Sequence, residues 1–94
     1  MANRQRRAAW AELLSGQPER AAEHAAEETA RATRAGERLS EAEARTVHAA
    51  ALVALGRRRE AEEEFDRAAG LWARLHYADG VLRVAQARSL RFRP

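Results

Sequence analysis

Cysteine, lysine and isoleucine are absent from this chain of 94 residues, and aromatic residues make up only 5% of it. Without cysteine the chain cannot form a disulfide framework, and it offers no thiolate for metal binding or nucleophilic catalysis. No apolar run approaches the roughly 18 residues of a membrane-spanning helix. The segment behind the basic N-terminus is too short and too polar for a signal-peptide core. We therefore expect a cytoplasmic protein.

Large apolar residues are also scarce. Alanine alone outnumbers leucine, valine and phenylalanine taken together. The net charge of +3 is too small to indicate a disordered chain. Alanine, arginine, glutamate and leucine, which dominate the composition, are strong helix formers. The composition predicts one all-α domain over residues 1–94, with a thin core and helices packed closely over alanine faces.

Glycine and proline mark the ends of the predicted helices. Gly16 suits the end of one helix and Pro18 the start of the next. Gly56 follows an apolar stripe that ends at Leu55, and the stripe resumes out of helical register, which favours a turn over one unbroken helix. Ser40 and Glu43 have the spacing of a capping box. These signals predict five helices, at about 4–15, 18–35, 40–55, 58–75 and 78–91.

An internal repeat relates the two halves of the chain. Aligning Gly16 with Gly56 also aligns Ala21 with Ala61, and the last helix then begins a third unit. A helical hairpin has an apolar face that it cannot bury alone, so neighbouring units must stack. The repeat predicts antiparallel hairpins in a short array, with an open end face at Trp10, Val81 and Val84.

The segment "LGRRREAEEEFDRAAGL", residues 55–71, resembles the second half of a tetratricopeptide repeat. That family has a glycine at the inter-helix turn, then an alanine, an aromatic residue and a second alanine at fixed spacings, and a small residue in the preceding helix. This sequence has these residues at Gly56, Ala61, Phe65, Ala68 and Ala49. A plain α-helical hairpin bundle is the alternative fold.

The resemblance implies a function. It implies a non-catalytic scaffold of the kind found in bacterial regulatory proteins, which binds a peptide or protein partner in the groove lined by the first helix of each unit. The groove residues that it implies are Trp10, Glu12, Arg45, His48 and Leu52. Assembly with a second copy, to form a homo-oligomer, is the other role open to such a scaffold.

Residue patterns for catalysis or metal binding are weak. His24, His48 and His76 are isolated, and no phosphate-binding or nucleophile motif is present, so we predict no catalytic residue, no metal and no cofactor. Glu28 lies four residues after His24 and could share a metal with it, but a solvated helix face is the preferred interpretation. His48 is interpreted as a packed core or groove histidine. The acidic run 60–66 is predicted to be solvated and paired with arginines, for example Glu63 with Arg67.

The C-terminal part of the chain is basic. Residues 67–94 contain six arginines and one aspartate, a net charge of +5, whereas residues 8–66 contain eight arginines and 13 acidic residues, a net charge of −5. A basic helix with an aromatic residue can bind phosphates and stack a base. This pattern makes a nucleic-acid-associated regulator the alternative function, with a basic surface at Arg83, Arg88, Arg91 and Arg93, beside Phe92. Docking of this tail on an acidic surface, for example that of another copy, is the preferred interpretation.

Overall fold

The protein is all-α. A computed structural model describes the backbone of residues 2–89 and the side chains of residues 8–89. It has five helices and no strand in this range: α1 (Ala2–Leu14), α2 (Pro18–Ala35), α3 (Arg38–Ala54), α4 (Arg58–Arg74) and α5 (Ala78–Arg88). The predicted fold class is confirmed, and the bounds of the first four helices differ from the prediction by two residues at most. The predicted end of the fifth helix lies outside the described residues.

The same turn separates each pair of consecutive helices. Its left-handed residue recurs at a constant interval along the chain, at Gly16, Gly36, Gly56 and His76. At Gly56, φ is 77°, the glycine N–H donates to the Val53 carbonyl, and the Arg57 N–H donates to the Leu52 carbonyl. This pair of bonds is a Schellman motif, which satisfies the last carbonyls of a helix. Each interval between left-handed residues therefore spans one helix, and two intervals span one hairpin.

The predicted capping box at Ser40 and Glu43 is wrong. Helix α3 begins at Arg38 behind Glu37, and no side chain caps its first turn. The turn at Gly36 decides this start, because in each of the four turns a new helix begins two residues after the left-handed position. Ser40 consequently lies inside the first turn of α3.

The helices form two layers. Helices α1 and α5 both contact α3 in one layer, while α2 packs against α1 and α3, and α4 packs against α3 and α5. Fully buried alanines allow this close packing, and Phe65 and Trp72 are the largest side chains in the core. The predicted repeat positions Ala49, Ala61, Phe65 and Ala68 are all completely buried, whereas Gly56 lies in an exposed turn. None of the helices within residues 2–89 is long and apolar enough to cross a bilayer.

Candidate functional site

A cavity of about 300 Å³ opens on the layer formed by α1, α3 and α5. Both tryptophans of the chain contribute to its wall, and the surface of the cavity is mostly apolar. The lining residues come from four helices: Trp10, Leu14, Glu43, Thr46, Trp72, Arg83, Gln86 and Ala87. Leu14 is strongly exposed at this site, with 76% of its surface accessible. The cavity therefore offers an accessible apolar surface between helices.

The repeat explains which residues line this cavity. The shift that aligns Gly16 with Gly56 also relates Glu43 and Thr46 of α3 to Arg83 and Gln86 of α5. Residues three apart lie on the same face of a helix. The first helices of two successive hairpins, α3 and α5, thus present the same face to the cavity. This face carries a glutamate on α3 and an arginine on α5.

Trp72 forms a rigid base for the cavity. It is completely buried, and its indole Nε1–H donates to Thr46 Oγ1 at 3.3 Å. The Thr46 hydroxyl in turn donates to the Ala42 carbonyl at 2.8 Å. The Tyr77 ring stacks on the indole, with 5.3 Å between the ring centroids. Because both polar groups are satisfied and the ring is held on two sides, this part of the wall is set before any ligand arrives.

Gly80 brings α5 against the face of that indole. A Cβ atom at this position would lie 2.0 Å from Trp72 Cδ2, much closer than two carbon atoms can approach. Any other residue would push α5 away from α4. The glycine therefore sets the distance between α5 and the base of the cavity.

A second polar cluster joins α3 to α4 through Glu64. Arg45 donates to both carboxylate oxygens of Glu64, at 3.0 and 2.9 Å, and to Glu41 at 3.0 Å. His48 Nδ1 lies 3.8 Å from Glu64 Oε2, which is beyond hydrogen-bonding distance. On α3, Glu41 and Arg45 are four residues apart and share the face toward α4, while the face of Glu43 and Thr46 is turned to the cavity.

The pKa values of Glu64 and Arg45 are set by two opposing effects, desolvation and the interaction with oppositely charged neighbours. Desolvation raises the pKa of Glu64, but His48 and Arg45 outweigh it, and the pKa lies below its ordinary value. Desolvation likewise lowers the pKa of Arg45, while hydrogen bonds from its guanidinium to Glu64 and Glu41 bring the net shift upward. Both groups are charged at neutral pH. Their ion pair stabilises the packing of α3 against α4.

The five groove residues implied by the repeat resemblance do not lie together. Trp10 lines the cavity. Leu52 is buried in the core, and Arg45 and His48 belong to the cluster around Glu64. Glu12 joins α1 to α2, because its carboxylate lies 2.6 Å from the Nδ1 atom of His24 and 3.4 Å from Arg20 Nε.

The sequence did not single out Thr46, Trp72 or Gln86 as site residues. The usable signal was the shift that aligns Gly16 with Gly56. Applied to the last helix, it relates the turn at His76 to that at Gly36 and places Gln86 on Thr46, which shows the shared face.

The basic C-terminal residues have different environments. Arg88 donates to Glu62 and Asp66 of α4, both at 3.0 Å, and its guanidinium carbon lies 5.2 Å from the centroid of the Phe65 ring. Arg83 lines the cavity. The remaining predicted members, Arg91, Phe92 and Arg93, lie outside the described residues. Arg88 therefore docks α5 on the acidic face of α4.

Two glutamates predicted to be solvated are buried instead. Glu64 is one, and it also accepts a hydrogen bond from Arg67, for which the helical spacing predicts Glu63 as the partner. Glu28 is the other: it is completely buried and accepts two hydrogen bonds from Arg31. These bonds, together with others to Glu37, raise the pKa of Arg31. In residues 8–89, no group of three or more histidine and acidic side chains is placed to hold a metal ion.

Comparison of the chain with protein-family models, with curated proteins and with solved structures found no match.

Proposed function

We propose that the protein is a non-catalytic interaction module that binds a peptide or an extended protein segment at the cavity between α1, α3 and α5. The observation that carries this proposal is an open, largely apolar cavity with both tryptophans in its wall. Partly exposed aromatic residues such as Trp10 are typical anchors of protein recognition. A volume of about 300 Å³ is at the lower end of the roughly 300–1,000 Å³ of ligand pockets, and one or two side chains of a peptide fill it.

We also propose that the architecture is tetratricopeptide-like. Stacked antiparallel hairpins, close packing over Ala49, Ala61 and Ala68, and the glycine turn at Gly56 support this assignment. The hairpin period from Gly16 to Gly56 is longer than the roughly 34 residues of the family. A module of that type, in a bacterial cytoplasm, serves regulation or assembly by holding a partner.

Selection from a phage-displayed library of random dodecapeptides tests the binding proposal. Because both tryptophans line the cavity, the affinity of each selected peptide can be measured from the change in tryptophan fluorescence. In the variant Gln86→Trp, a large side chain at the cavity wall competes with the peptide, and we expect affinity to fall about tenfold or more, as for loss of a central contact.

Glu63→Trp is the matched control, since Glu63 is exposed on α4 away from the cavity. It should leave the affinity unchanged. The proposal fails if the library yields no peptide above background, or if the selected peptides bind Gln86→Trp as well as they bind the unmodified protein.

The two alternative roles give different results with the same protein. A self-assembling scaffold forms dimers or larger species in light scattering, and Gln86→Trp disrupts them if the cavity is the interface. A nucleic-acid regulator binds DNA or RNA with an affinity that falls steeply with salt. The ion pairs of Arg88 with Glu62 and Asp66 favour the peptide function, because they engage one of the arginines on which nucleic-acid binding would depend.

A further inference from the structure

The cavity contains an arginine whose charge is not neutralised by any other side chain of residues 8–89. Arg83 is exposed, and among the described residues it has neither a hydrogen bond nor an ion pair. Arg31, Arg45 and Arg88, by contrast, each donate to a carboxylate at 3.0 Å or less. A guanidinium beside an apolar cavity is well suited to bind a carboxylate from a ligand, since its donors match a carboxylate geometrically.

Gln86 adds a second unused polar group on the same face. It follows Arg83 by three residues, so the two side chains lie one above the other along α5. Its side-chain amide has no partner among residues 8–89, and it lines the cavity beside Ala87. An amide can donate and accept at once, which is the pattern needed to bond the backbone of an extended peptide.

The opposite wall carries the opposite charge. Glu43 of α3 lines the same cavity at the position equivalent to Arg83. A ligand carboxylate is attracted by Arg83. This attraction sets an orientation: an apolar group enters the cavity beside the partly exposed Trp10, while a carboxylate lies on the α5 side.

We infer that the cavity recognises a peptide segment in which a large apolar side chain is adjacent to a carboxylate, with the carboxylate bound by Arg83 and the peptide backbone bound by Gln86. This inference rests on the proposed function and names its ligand class. The carboxylate has two possible sources, an aspartate or glutamate side chain or a C-terminus, and the shared chemistry is a carboxylate next to an apolar group.

The experiment compares peptide selections on three proteins. The library is displayed with free C-termini, so the unmodified protein should enrich peptides in which a leucine, phenylalanine or similar residue lies close to an acidic residue or at the C-terminus. Arg83→Gln keeps a polar side chain but removes the charge, so it should keep the apolar preference and lose the acidic one. Arg59→Gln, an exposed arginine of α4 outside the cavity, is the matched control and should retain both preferences.

Synthetic versions of the selected peptides then measure the effect and its source. For an acidic peptide we expect Arg83→Gln to weaken binding about tenfold, the loss associated with one charged hydrogen bond. If a side chain supplies the carboxylate, replacing the peptide's glutamate by glutamine should weaken binding to the same extent. If the C-terminus supplies it, amidation of the C-terminus should do so instead.

Each outcome separates this inference from the proposed function. Apolar peptides that bind the cavity with no preference for a carboxylate of either source, or with a preference for basic residues, overturn the inference and leave the proposed function standing. An acidic preference that persists in Arg83→Gln also overturns it. Failure to select any peptide overturns both.

Discussion

A single left-handed residue ends each of the first four helices, and three of these residues are glycine. The fourth, His76, has a φ of 55° with a side chain attached. A Cβ in this conformation approaches the following carbonyl, at a cost of roughly 1–2 kcal/mol. The glycine turns are free of this strain, and a Cβ at Gly56 would meet no atom within 4 Å beyond its two neighbours in the chain. Substitutions there consequently report backbone conformation alone.

Replacing His76 by glycine should raise the free energy of unfolding by about 0.5–1 kcal/mol, because relief of the backbone strain exceeds the added entropy of the unfolded chain. Urea denaturation followed by circular dichroism measures the change. His76→Ala retains the Cβ and should give no such gain. The reverse substitution, Gly56→Ala, should lower the free energy of unfolding by about 1 kcal/mol. If His76→Gly, His76→Ala and Gly56→Ala were all as stable as the unmodified protein, the role assigned to the left-handed residue would be contradicted.

Glycine is required at position 80 for a different reason. The limit there is the space beside the Trp72 indole and not the backbone conformation. Alanine normally stabilises a helix interior by about 1 kcal/mol relative to glycine, but at Gly80 its Cβ would collide with the Trp72 indole. We expect Gly80→Ala to destabilise the protein by about 2 kcal/mol or more. In Gly70→Ala, the nearest atom is Arg74 Nη2 at 3.6 Å, an ordinary contact, so this variant should be stabilised. Thermal denaturation of both variants tests whether alanine destabilises the protein at position 80 and stabilises it at position 70.

At the scale of helices, several charged side chains form ion pairs with neighbouring helices instead of facing solvent. Helix α4 has an acidic run, but its members point in different directions. Glu64 turns inward to Arg45 of α3, whereas Glu62 accepts from Arg88 of α5. One helix thus connects its two neighbours through ion pairs, at positions a sequence pattern identifies only as charged.

The pair between Glu64 and Arg45 should make stability depend on pH. Folding lowers the pKa of Glu64, so the folded protein binds that proton less tightly than the unfolded chain. The stabilisation is therefore present above about pH 4.5 and is lost as the pH falls through the lowered pKa. We expect Glu64→Gln to cost about 1–3 kcal/mol at pH 7 and to show a smaller difference from the unmodified protein near pH 3.

Urea denaturation between pH 7 and pH 3 measures this dependence. Glu63→Gln is the control, because Glu63 is exposed and adjacent in sequence. Its stability should follow that of the unmodified protein at every pH. A Glu64→Gln curve parallel to the unmodified one over the whole range would contradict the ion pair's role.

For the whole molecule, α3 is the central element. It contacts all four other helices and has nine buried residues, whereas α5 contacts α3 and α4 and has three. In helical arrays, stability is distributed according to such neighbour contacts. We expect amide hydrogen exchange at pH 7 to be slowest in α3 and fastest in α5. Gly80→Ala should accelerate exchange in α5 far more than in α2, and uniform acceleration would indicate an all-or-none fold.

Much of the fold could be predicted from local chemistry. Helix-forming composition, glycine turns and the spacing of Ala61, Phe65 and Ala68 predicted five helices and the residues they bury, because each signal acts within one or two turns of chain. The turn at His76 was located as well, between the predicted helices 58–75 and 78–91, although no glycine marks its left-handed residue. The candidate site was less predictable: Trp10 and Arg83 were identified, but Thr46, Trp72 and Gln86 were not.

The sequence by itself determined the helical class, the hairpin repeat and the absence of thiol chemistry, since these depend on composition and on short-range backbone preferences. Only the tertiary structure decided which polar side chains face which neighbour. Within residues 8–89, Arg88 is paired with carboxylates and Arg83 is not, although both lie on α5, because the packing of α5 on α4 and α3 brings one against acidic residues and the other to a cavity. That difference depends on contacts between residues of different helices, far apart in the chain, which no local pattern encodes.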